Sequence, residues 1–236
     1  RDQPRSRGLG DVYKRQSWNN MKIIIVANSP KKSFKEMYHL NPSDYFIGLD
    51  GGAMELLERR IKPDIAIGDF DSTNFLQEIE KNAIETKIFP AKKNETDLEL
   101  AFMYLKNIQG ATNLNIEVYD ALSGRLDHEL VAIRLLAKYN EYKVKLIDKE
   151  NTIELLKEKK VGVVNKNAKY FSIFPIGEAS ISIRNAAYEL NNVTINENDT
   201  YTVSNAPLKN DMEPTIYVHS LSLIHISEPT RPRLIS

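Results

Sequence analysis

From Lys22 to about residue 148, short aliphatic runs alternate with segments whose apolar residues recur every three or four positions. Uninterrupted apolar runs read as buried strands and the longer period as helices packed on them, so this half predicts βα units around a mainly parallel sheet. The predicted strands are Lys22–Ala27, Tyr45–Leu49, Ile65–Ile67, Lys87–Phe89, Asn115–Val118 and Lys143–Ile147. Leu98, Ala101, Phe102, Leu105 and Ile108 mark one helix, and Leu126, Leu130, Ile133 and Ala137 a second. After about Asn151 the pattern changes: TIELL, GVV, KYFSIFPI, SISIRN, VTI and YTVSN are short β-rich segments separated by Gly, Asn and Asp turns. The fold class expected is α/β, with an α/β domain over 21–148 followed by a smaller all-β domain over 149–220.

The ends do not share this texture. Residues 1–20 mix Arg, Gly and Pro with no apolar period, and residues 221–236 lose their period after the first few positions. Both read as non-native tails outside the fold, with the native start at Met21; the alternative for the first is a basic targeting arm. No stretch approaches the roughly 20 apolar residues that cross a bilayer, so no membrane partner is expected. The chain has no Cys, which excludes disulfides, thiolate metal sites and a cysteine nucleophile, and fits a reducing, cytoplasmic setting. Its 32 basic and 32 acidic residues balance, which gives no sign of a nucleic-acid partner. That balance hides a bias: residues 1–16 carry five basic and two acidic side chains and residues 221–236 two and one, so the chain between them carries an excess of four acidic groups.

Polar density concentrates in four segments, three of them directly after a predicted strand, where open α/β sheets bind ligands. Asp50-Gly51-Gly52-Ala53 offers close backbone approach and a helix N-terminus suited to an anion, although a plain strand-to-helix turn would use the same glycines. Gly68-Asp69-Phe70-Asp71-Ser72 ends a buried strand in two carboxylates at i and i+2, which can converge on a hard cation such as Mg²⁺ or only form an Asx turn. Lys92-Lys93-Asn94-Glu95-Thr96-Asp97 places a further carboxylate and point charges for phosphate before a helix. Thr96 or Asn94 could equally be its N-cap. Ser123-Gly124-Arg125-Leu126-Asp127-His128 supplies the planar guanidinium fork that matches phosphate, and His128 is either structural or a base. Carboxylates, lysines, an arginine and glycine turns are the equipment of metal-assisted phosphoryl or pyrophosphoryl transfer. No P-loop, kinase H-R-D set or H-E-x-x-H is present.

In this order and spacing DGGA at 50–53, GDFDS at 68–72, KKNETDLELA at 92–101 and GRLDH at 124–128, followed by TVSNAPL at 202–208, resemble the thiamine pyrophosphokinase family. The resemblance implies a Rossmann-like mainly parallel domain joined to a β-sandwich, acting as a homodimer with shared active sites. It implies transfer of pyrophosphate from ATP to thiamine, giving thiamine diphosphate and AMP, with Mg²⁺ as cofactor. Carried over by residue, Asp69, Asp71 and Asp97 would hold the metal and orient the hydroxyl, with Asp50 a further member. Gly51, Gly52, Ser72, Lys92, Lys93, Thr96, Arg125 and Asp127 would serve the nucleotide, and Ser204 and Asn205 the thiamine. Three departures stand out: Ser123 replaces the first glycine of a usual pair, Ala206 follows Ser-Asn where an acidic residue is usual, and where the family closes with another apolar strand the chain runs into the altered C-terminus, so that the strand is either missing or supplied by LSLIHI pairing in its place. The alternatives are a pyrophosphokinase for another hydroxyalkyl heterocycle, such as a pterin, and a non-catalytic nucleotide- or thiamine-binding module.

Overall fold

The run Ile23–Val26 has no solvent exposure at all, which requires a strand covered on both faces. In the structure, a computed structural model, residues 21–71, 75–108, 113–122, 124–208 and 212–228 are described. The chain forms two units, the first ending at Val144 and the second beginning at Lys145.

In the first unit β1 (Lys22–Val26) is central, pairing in parallel with β2 (Tyr45–Leu49) on one side and β5 (Asn115–Tyr119) on the other. Outward from β2 lie β3 (Ile65–Gly68) and β4 (Glu85–Ile88), also parallel. The helices are α1 (Phe34–Met37), α2 (Gly51–Glu58), α3 (Leu76–Asn82), α4 (Asp97–Lys106) and α5 (Leu126–Lys138). Chain order reverses direction at β1, so the carboxyl ends of β1, β2 and β5 flank a topological switch point, where a crevice must open.

The second unit is antiparallel. β7 (Thr152–Leu156) pairs with the end of β6 (Lys143–Ile147), and β13 (Leu223–Ser227) lies between β7 and β9 (Phe171–Pro175). A second sheet takes the order β11 (Leu190–Asn196), β10 (Glu178–Arg184), β12 (Thr215–Ser220) and β8 (Val161–Val163). Leu156, Phe171, Ile173 and Leu223 from one sheet share a core with Ile181, Ile195, Ile216 and Val218 from the other, which is a sandwich. Among the described residues no helix is long and apolar enough to cross a membrane.

Three expectations change. The segment from Leu221, assigned to the C-terminal tail with pairing of LSLIHI as the alternative, follows the alternative and supplies β13, whose ladders on both sides satisfy its backbone groups. Tyr201–Asn205, read as β-rich, is a run of turns joined to β9 by one bridge at Phe171 and Asn205, because Ser204 takes a left-handed φ of 60°. In α5 the buried face is Ala132, Leu135 and Leu136, while Leu126 and Leu130 stand exposed. The segment LDHELVAIRLLAK carries apolar residues at helical spacing on two faces, so periodicity does not single out the one that packs.

Candidate active site

A cavity of about 490 Å³ opens at the carboxyl ends of β1, β2 and β5. Asn28 and Pro30 wall it after β1, Asp50 after β2, and Asp120 after β5. Thr96 and Asp97 reach it from the start of α4, and Arg125 and His128 from the start of α5.

Asp50 sits in an unusual backbone conformation, φ 46° and ψ −119°, and its side chain does not cap α2. Instead Oδ1 accepts the Phe70 amide at 3.2 Å, which draws the chain after β3 against it. A Cβ added at Gly68 would lie 1.8 Å from Asp50 Oδ1, so glycine there makes room for the carboxylate. Likewise a Cβ at Gly52 would meet the Val26 carbonyl at 2.0 Å, so the glycine lets α2 start directly against β1. Burial pushes the Asp50 pKa up to about 7, helped by the charge of Asp97, a hydrogen bond to that carboxyl, and the more remote charge of Asp69, against the Phe70 amide. Two carboxylates in contact therefore share the cavity floor.

Asp97 is the first residue of α4, and Lys93 Nζ pairs with its Oδ1 at 2.5 Å. Thr96 caps that helix, its Oγ1 accepting the Glu99 amide at 3.3 Å, so the capping reading and the cavity position hold together. Lys92 is exposed. Asp69 and Asp71 do not line the cavity: Asp71 is exposed and its amide donates to Asp69 Oδ1 at 3.3 Å, the Asx turn of the alternative reading. Ser72 lies outside the described residues. Among the described residues no group of three or more His, Asp or Glu stands in an arrangement that would hold a metal ion. Arg125 forms a two-bond fork with Asp127, Nε to Oδ1 at 3.1 Å and Nη2 to Oδ2 at 2.5 Å, on the exposed surface. That fork holds the Asp127 carboxyl below, and the guanidinium above, their usual values. Arg125 also lines the cavity; Asp127 does not.

The sequence reasoning missed Asp120. It is 2% exposed, has a left-handed φ of 62°, and its Oδ1 accepts both the amide of Ser33, at 2.6 Å, and the Ser33 hydroxyl. Oδ2 accepts the Phe34 amide at 3.3 Å. The available signal was its position, an acidic residue closing the strand NIEVY as Asp50 closes YFIGL.

In the second unit Ser204 is exposed and donates its amide to Ser172 Oγ at 3.1 Å. Asn205 is buried, and its side chain serves the fold: Oδ1 accepts the amides of Tyr188 at 3.0 Å and Ala206 at 2.9 Å, and Nδ2 donates to the Tyr188 carbonyl at 2.7 Å.

A family model described as thiamin pyrophosphokinase, catalytic domain, matches residues 37–147. Among curated relatives, the thiamine pyrophosphokinase of Bacillus subtilis (strain 168) is 33% identical over 191 residues, covering 78% of this chain and 88% of the relative. A solved structure of the thiamine pyrophosphokinase from Bacillus subtilis is similar with a TM-score of 0.73 and 30% identity, over 88% of this chain and 98% of that one. The thiamin pyrophosphokinase structure from Geobacillus thermodenitrificans, 24% identical, has the same fold with a TM-score of 0.73 over 91% of this chain and all of that one.

Proposed function

Because the chain belongs to the thiamine pyrophosphokinase family, whose members are enzymes, we propose that its first unit binds ATP with Mg²⁺ in the cavity and transfers pyrophosphate to thiamine. The observation that carries the reading is the contact of Asp50 and Asp97 on the cavity floor at the strands' carboxyl ends. Two carboxylates held together in a half-buried site repel each other until a proton or a cation intervenes. That pair fits a hard divalent cation that takes its remaining ligands from water and phosphate oxygens, and Asp50 and Asp97 would hold it. When bound, Mg²⁺ supplies positive charge to the polyphosphate.

The chemistry asked of the chain is in-line displacement. The hydroxyethyl oxygen of thiamine forms a bond to the β-phosphorus of ATP as the bond from that phosphorus to the α,β-bridging oxygen breaks. AMP leaves with the bridging oxygen, and the hydroxyl proton passes to a carboxylate or to water. Arg125 at the cavity wall would clamp phosphate oxygens, exchanging its exposed fork with Asp127 for a bidentate one with the ligand. Lys93, tied to Asp97, adds positive charge beside the same floor. The amides at the start of α2, at Gly51 and Gly52, favour an anion there. Positioning and charge neutralisation of this kind account for most of the rate in such transfers.

Incubation with Mg²⁺, ATP and thiamine should yield AMP and thiamine diphosphate in equal amounts. ADP as the only nucleotide product would refute pyrophosphoryl transfer, and turnover of a hydroxymethylpterin in preference to thiamine would refute the acceptor.

A further inference from the structure

We propose that Asp120 is a positioning residue: it straps the β1–α1 loop across one wall of the cavity and so sets nucleotide affinity rather than the rate of transfer. The inference rests on the reading that this cavity takes the nucleotide. Its basis is the use to which the Asp120 carboxylate is put. Both oxygens are committed to a single short stretch, Ser33 and Phe34, 87 and 86 residues away in sequence. Three hydrogen bonds to one buried anion are among the stronger ties a side chain makes.

What the strap positions is the wall itself. Upstream of Ser33 the loop carries Asn28 and Pro30, both lining the cavity. Asn28 lies against the start of α2, where a Cβ added at Gly51 would stand 2.6 Å from its Oδ1. Pro30 lies against the other phosphate segment, its Cδ 3.3 Å from where a Cβ on Gly124 would be. The loop thus bridges Gly51 at the start of α2 and Gly124 before Arg125, and a displaced loop would open both approaches at once. Lys32 adds a weaker tether to α2, with Nζ 3.6 Å from Glu58 and 3.9 Å from Glu55.

The strap is not the sole anchor of α1. Phe34 is fully buried, stacked on Tyr38 at 5.0 Å and edge-on to Tyr119 at 5.3 Å, so α1 stays anchored by its aromatic contacts when the carboxylate is lost. Asparagine tolerates the left-handed backbone at residue 120, and its oxygen can still accept from Ser33, but its amide nitrogen would face the Phe34 donor.

The test compares Asp120→Asn, Ser33→Ala and the double variant by steady-state kinetics and by calorimetric titration with ATP and Mg²⁺. In Asp120→Asn the KM and Kd for ATP should rise about tenfold or more, with kcat within about threefold and the thiamine KM unchanged. Ser33→Ala, which removes the hydroxyl donor, should raise the ATP values by about threefold, and by less in the Asp120→Asn background, where that hydroxyl meets a neutral oxygen and the loop is already loosened at Phe34. Equal loss across kcat and both KM values, a rise in the thiamine KM alone, or full additivity of the two changes would each overturn the strap. Wild-type protein that binds ATP without forming thiamine diphosphate would refute the transfer reading alone, since the titration still tests Asp120. Should Asp120→Asn fail to fold, Ser33→Ala decides by the same measurements.

Discussion

Replacing Asp50 with Asn should stabilise the ligand-free protein while removing its activity. Burial and the Asp97 carboxyl raise the Asp50 pKa from 3.8 to about 7. At 1.36 kcal/mol per unit, that difference sets a ceiling of about 4 kcal/mol on the cost of the ionised group. Solvent reaches part of the site and the charge is shared with Asp97, so the cost is discounted to roughly 1–2 kcal/mol. The sign follows from proton counting. Below about pH 3.8 folded and unfolded chains both carry the proton and no penalty exists; between there and pH 7 the folded chain binds more protons, so its stability falls as pH rises and then levels off. Asparagine keeps the acceptor for the Phe70 amide and offers Asp97 a donor in place of a like charge. At pH 8 the variant should melt about 2–8 °C above the wild type, and the gap should close as pH falls toward 4. Glu55, which burial also pushes to about 7, is present in both proteins and cancels in the difference. Thermal melts from pH 4 to 8 by circular dichroism, paired with an AMP-release assay, make the test. A variant no more stable than wild type at pH 8, or a gap that does not shrink with acid, would show that Asp50 and Asp97 do not burden the free protein. Full turnover by the variant would remove Asp50 from the site.

Arg125→Ala should leave the denaturation midpoint unchanged, because the fork with Asp127 is solvated, while weakening ATP binding in a titration; an unchanged Kd would take Arg125 out of the phosphate site. Asn205→Ala should cost about 1–3 kcal/mol in urea unfolding, since it removes a buried side chain that holds the Tyr188 amide and carbonyl. Ending the chain at Ser220 removes β13 from between β7 and β9, with Leu223 fully buried, and should cost more than about 3 kcal/mol and expose the second unit to limited proteolysis; a truncated protein with an unchanged melt would make β13 dispensable.

Which features could be read from the sequence follows from how local their cause is. A strand buried on both faces must be apolar along its buried length, so IIIV at 23–26 and YFIGL announced themselves without tertiary knowledge. Polar density directly after such strands pointed to the cavity for the same reason. Segment β13 shows the converse. LIHIS alternates as a half-buried strand should, but His225 falls on the inward face, where the pattern calls for an apolar residue, and breaks the period. In the structure that histidine is 2% exposed, its ring nitrogens lack a hydrogen-bond partner among the described residues, and Nδ1 stands 3.7 Å from Glu154. Against burial, which pushes it up, His225 and Lys145 hold the Glu154 carboxyl below its usual value, so the polar residue is tolerated by a charge on a neighbouring strand. Asp120 and Asn205 make the same point about function. Each is a polar residue in a turn, and no local pattern distinguishes a side chain that meets a ligand from one that meets a distant backbone amide. For Asp120 the deciding partners are Ser33 and Phe34, for Asn205 it is Tyr188, and both partnerships exist only once the strands have paired. Motif resemblance can therefore nominate the cavity, but the backbone groups that its neighbouring polar residues hold are set by tertiary contacts.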